Sequence, residues 1–152
     1  MRKQIARGLT MLMLVVGLAF ASAAVANGQS RQLTANVPFD FVVADKTLQS
    51  GQYRVRKEGI AGEVITVRSA DEKDHLYRVT ANAGSSGDSR TRLVFHRYGS
   101  TYFLSQVWID GSGRQLAETK QEQAAERELK KIAAYHGERG PVYQVVELIA
   151  AR

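Results

Sequence analysis

The chain has 152 residues, 44% of them hydrophobic, and no cysteine. That length carries one core of modest size, and the lack of thiols excludes disulfides, thiolate metal sites and thiol chemistry. The formal charge is +6, but Arg2, Lys3 and Arg7 supply three of those charges, and beyond them acids and bases alternate, so no basic run points to a nucleic-acid partner.

Those three cations form a positive opening segment without an acid. From Leu9 the chain reads LTMLMLVVGLAFASAAVA, apolar and uncharged, ending in small residues. Ala24-Val25-Ala26 matches the small-x-small pattern at which signal peptides are cut. We expect residues 1–26 to be a removable signal peptide cleaved after Ala26, with a cut after Ala23 as the alternative. A membrane anchor needs about 20 apolar residues, and the Ala- and Ser-rich last third argues against one. The expected location is periplasmic or extracellular, with no membrane span after removal of the signal.

Residues 27–33 are polar and read as a flexible leader to a single β-rich domain, 34–152. In the first run Val37, Phe39, Phe41 and Val43 alternate with Asn36 and Asp40, the period of a strand. Pro38, which has no N–H to give, marks an edge or a strand start. Strands are predicted at 52–57, with Tyr53 and Val55 inward and Arg54 and Arg56 outward, at 63–69 and at 75–81. Residues 82–90, NAGSSGDSR, read as the longest loop. A hairpin follows, 91–98 and 101–109, turning at Gly99-Ser100. Its second strand is apolar on both parities, Phe103, Val107 and Ile109 against Tyr102, Leu104 and Trp108, so it needs cover on both faces. Residues 110–113, DGSG, read as a turn.

Near residue 117 the period changes. Residues 117–134 contain no Gly or Pro and are rich in strong helix formers. Ala125, Leu129, Ile132 and His136 recur at helical spacing, early Glu118 and Glu122 and late Lys130-Lys131 suit the helix dipole, and Glu126 and Lys130 form an i,i+4 pair. Gly137 and Gly140-Pro141 stop the helix, and VYQVVELIA closes the chain as a strand. The predicted fold is mainly β: an antiparallel sandwich or small barrel of six or seven strands with one late helix at about 117–135. The helix is expected to dock through Leu129 and Ile132 on the face that carries Leu104 and Trp108.

Three motifs stand out: Val37-Pro38-Phe39-x-Phe41, Leu48-x-x-Gly51-x-Tyr53-x-Val55, and Leu93-Val94-Phe95-His96-Arg97-Tyr98-Gly99, followed by an AERELK helix. Over residues 34–131 the chain resembles a family of uncharacterised exported proteins common in soil bacteria of the acidobacterial type. Such proteins often carry Pro-Ala before the glycine at 51, where this chain has Gln49-Ser50. The resemblance implies export and a β fold, and it assigns no residue a catalytic role.

Candidate chemistry is sparse. His75, His96 and His136 lie in different elements, and a zinc site needs three or four converging ligands; even with Asp74 or Asp88 nearby no metal site is expected. No serine lies in G-x-S-x-G, and Ser105, His96 and Asp110 form no motif. The DGSG turn lacks the length and terminal glutamate of a calcium loop. No catalytic residue and no cofactor are predicted. His96 reads as a half-buried histidine with its ring nitrogens satisfied. The aromatic residues are more suggestive: Tyr98, Tyr102 and Trp108, with His96, could form a ligand or interaction surface on an open sheet face, unless the helix covers it.

Two functional classes follow: a noncatalytic exported domain that engages a protein, polymer or envelope component, and alternatively a binder of a small ligand or glycan through the aromatic cluster. A polar group around His96, Arg97 and Gln106 would be the focus of an unfamiliar enzyme.

Overall fold

Alternation of apolar and polar residues in short runs, broken by Gly, Asp and Ser, dictates strands; a computed structural model, which describes residues 32–137 and 140–150, shows ten of them and one helix. The strands are β1 (Gln32–Val37), β2 (Phe41–Val43), β3 (Lys46–Leu48), β4 (Gly51–Glu58), β5 (Val64–Ser69), β6 (His75–Ser85), β7 (Arg92–Tyr98), β8 (Thr101–Ile109), β9 (Ser112–Leu116) and β10 (Gln144–Ile149), with α1 (Lys120–Tyr135) before the last. The segment read as a signal peptide, with Ala24 and Ala26, lies outside the described residues. The stretch read as a leader ends earlier than expected, because Gln32 begins β1 and Leu33 is fully buried.

The strand order is β1-β4-β5-β6-β9-β8-β2-β3, with β7 pairing β8 and β10. The sheet does not close into a barrel. The eleven-residue β6 joins its halves: residues 75–79 pair with β5, residues 80–85 with β9, and a register shift between Asn82 and Gly84 lies in the second part. The inner faces of both halves meet in one cluster. Leu33, Val55, Ile65 and Val67 come from the first half, and Phe41, Leu48, Leu93, Phe95, Leu104, Val107 and Leu116 from the second. As the alternation predicts, Tyr53 and Val55 are buried while Arg54 and Arg56 are exposed. The same parity buries Lys57, whose ammonium is satisfied by the carbonyls of Ile109 and Ser112.

Several expectations need correction. There are ten strands rather than six or seven, and one pair is parallel, β2 with β8. Pro38 divides the first run into β1 and β2. The expected loop at 82–90 starts late, because β6 runs to Ser85 against β9, which begins inside the stretch 110–113 read as a turn. The helix begins at Lys120, not near 117: Thr119 is its N-cap, and its hydroxyl accepts the Glu122 amide hydrogen bond at 3.0 Å. That Thr-x-x-Glu spacing is a helix-start signature.

The largest correction concerns facing. Val94 pairs with Gln106 and Phe95 with Leu104, so Ser105 is an extra residue, a β-bulge in β8. The bulge reverses parity. Leu104 and, after the bulge, Val107 and Ile109 all face the main core, whereas Phe103 and Trp108 face the other side. α1 therefore docks through Ala125 and Leu129 on a second cluster formed by Val42, Tyr98 and Phe103, and not on Leu104. Ile132 stays 51% exposed.

Candidate functional site

On β7 the side chains of His96 and Tyr98 point away from the main core toward α1, while Leu93 and Phe95 point into it. The first turn of α1 sets Glu122 against this face. Its carboxylate accepts a hydrogen bond from His96 Nδ1 at 3.2 Å, with the Glu122 side chain only 5% exposed. Tyr143, between the end of α1 and β10, completes the cluster. Its ring stacks on His96, centroids 4.1 Å apart and planes 25° from parallel, and lies 5.5 Å from Tyr98, which meets Phe103 edge-on at 5.7 Å. Burial, and then the negative charges of Glu122, Glu126 and Glu118, hold the Tyr98 phenol well above its ordinary pKa, so it remains a neutral hydrogen-bonding group.

Beside this cluster lies a groove of about 380 Å³. Leu129, Ile132 and Ala133 of α1 form one wall, and Pro141, Val142 and Tyr143 the other. His136 and Gln144 add polar groups to its lining. The groove's surface is about evenly apolar and polar, and its volume falls in the small-molecule range of about 300–1,000 Å³.

The structure thus brings together two of the four residues singled out for an aromatic surface, His96 and Tyr98, and separates the others. Tyr98 is buried beneath α1 rather than displayed. Tyr102 is on the main-core side, stacked on Phe39 at 3.8 Å, with the Arg97 guanidinium 5.4 Å from its ring. Trp108 shares the α1 side of the sheet but is engaged by its own neighbours. The Arg92 guanidinium lies 4.7 Å over its ring, a Cβ on Gly113 would come within 2.7 Å of it, and its indole N–H donates to Gln106. Gln106 in turn donates to Gln115, and Gln115 to the Ser105 hydroxyl, a polar row that holds the ring in place.

Sequence reasoning missed Tyr143 and Glu122 as site residues. The signals were a lone aromatic two residues after Gly140-Pro141 and a glutamate three residues beyond a threonine cap. The other candidates remain apart. His75 contacts Arg68 and Tyr77 on the first half of the sheet, while His96 is under α1. Among the described residues no three His, Asp or Glu side chains converge as metal ligands. Ser105 is hydrogen-bonded by Gln115 and His96 by Glu122, so neither is aligned with the other. Among the same residues no helix is long and apolar enough to cross a membrane. Comparison with protein families, curated proteins and solved structures gives no match.

Proposed function

We propose that the chain is an exported, noncatalytic β domain that binds a small glycan in the groove between α1 and Pro141–Gln144. One observation carries this reading: Tyr143, stacked on His96, lines an open groove whose surface mixes apolar side chains with polar groups. A sugar ring has the matching chemistry, with C–H faces for the aromatic and aliphatic walls and hydroxyls for His136 and Gln144. The role is that of an envelope or extracellular binding domain. It rests on the same export signal and on the resemblance to exported soil-bacterial proteins.

Isothermal titration of the chain with a panel of neutral di- and trisaccharides tests the binding. At least one should bind saturably, and Tyr143→Ala should weaken it about tenfold, the equivalent of one aromatic contact. Tyr102→Ala, on the opposite face, should leave it unchanged. A panel without a binder, or equal losses in both variants, would sink the reading. Export is tested separately by sequencing the protein recovered outside the cytoplasm, which should begin at Asn27; recovery of an intact Met1 end in the membrane fraction refutes it.

A further inference from the structure

The outer face of the β1-β4-β5-β6 half carries a second site, independent of the groove. Strand register sets Arg54 beside Arg68 and Arg56 beside Thr66, with Gln32 flanking Arg56 on β1. Together with Glu58 these side chains enclose a depression of about 80 Å³. Arg56 is steadied by Gln32 at 3.0 Å, and Arg68 by the His75 ring at 3.5 Å, with Glu72 at 3.8 Å on its exposed rim. Adjacent guanidiniums on neighbouring strands repel one another, and the two carboxylates beside them, Glu58 and Glu72, offset three cations only in part.

The floor of the depression supplies the second observation. Thr66 is only 6% exposed, and its hydroxyl is sealed from solvent with no hydrogen-bond partner among the described residues. Buried hydroxyls are nearly always paired, because leaving one unpaired forfeits its solvation for nothing. An unpaired hydroxyl beneath three guanidiniums is a donor awaiting an acceptor.

We propose that this depression binds a tetrahedral oxyanion, a phosphate or sulfate group, either free or as a monoester. Arg54, Arg56 and Arg68 supply charge-assisted N–H donors to its outer oxygens, and the Thr66 hydroxyl donates to the innermost one. Against Glu58 and the rim carboxylate of Glu72 the three arginines still leave a net positive charge, which favours an oxyanion. The volume admits one such group but not a sugar ring, so any larger part of a ligand lies out over the exposed strand face toward Tyr77.

The test is an NMR titration of the full-length chain with inorganic phosphate, inorganic sulfate and a sugar monophosphate, each at constant ionic strength, with chloride as the reference ion. Saturable shifts of the Thr66 amide and the Arg54 side-chain N–H are expected with phosphate or sulfate and absent with chloride. Binding of the monophosphate as well assigns the site to esters, and its failure to bind assigns it to the free ion. Thr66→Val and Arg54→Gln should each weaken binding about tenfold, and Tyr143→Ala should not affect it. Thr66→Val should melt no lower than the parent, since it removes an unpaired buried group; should it misfold, Arg54→Gln at its exposed position decides alone. Shifts reproduced by chloride, no saturable shift with any of the three anions, or undiminished binding in the variants overturn the proposal.

Discussion

Phe95→Ala is expected to cost the domain about 3–5 kcal/mol, the usual range for emptying a buried phenylalanine site. Phe95 is fully buried, and its ring meets Phe39 at 5.2 Å and Phe41 at 5.5 Å, both edge-on. It belongs to β7, the strand between β8 and β10, so its removal leaves a cavity beside the Phe39 and Phe41 rings. Strands paired on both sides cannot move in to fill it. Domains of this size are stable by about 5–15 kcal/mol in all, so the variant should unfold at a much lower urea concentration or fail to fold. Trp108 fluorescence reports the transition, because that ring is on the other face of the sheet and is not itself disturbed. A midpoint equal to that of the parent would mean that Phe95 is not central to the core.

Where the chain alternates strictly, its local structure was legible. β4 and β5 each show one mainly apolar and one mainly polar parity, and the inward set of β4 follows from that parity alone. The helix was legible from composition and from the Glu126–Lys130 spacing, and those two side chains do meet at 2.8 Å. What failed was any inference that carried parity across a discontinuity. Ser105 adds one residue to β8 and sends Tyr102 and Trp108 to opposite faces, although the sequence puts them in one alternating set. No local property of Ser105 announces this, since the bulge is defined by pairing with β7.

β9 was hidden for a different reason. Ser112 to Leu116 offers one large apolar residue, and Gly113 must be small because the Trp108 ring occupies the place of its side chain. β3, three residues long, is too short for a period to show, and β2, read as part of the first run, is set apart as a strand by its parallel contact with β8, far away in the chain. The site shares this character. His96 and Tyr98 could be placed on one face from their spacing, but the partners that give them a role, Glu122 and Tyr143, arrive from a helix and a loop whose positions only the assembled fold determines.

The His96–Glu122 contact makes the second strong prediction. Glu122→Ala should destabilise the domain by about 3 kcal/mol, the lower end for breaking one side of a buried charged or polar pair. Glu122 is almost wholly buried, and with the carboxylate gone His96 Nδ1 loses its acceptor while remaining only 15% exposed. Thr119 still caps the helix through the backbone amide of residue 122, so the loss belongs to the cross-element contact and not to helix initiation. Glu122→Gln separates charge from hydrogen bonding. Its amide oxygen can still accept from His96, so its cost should stay near 1 kcal/mol. The consequences extend to the groove. α1 is fastened to the sheet by this contact at one end and by Leu129 further along, and its C-terminal half is the groove wall. In Glu122→Ala the Tyr98 and Tyr143 ring resonances should therefore broaden or shift, while those of Phe39 and Tyr102 on the opposite face stay put. Equal stability of the Ala and Gln variants would show that the side-chain hydrogen bond contributes nothing, and unchanged Tyr143 resonances in the Ala variant would show that the groove wall is held by Leu129 alone.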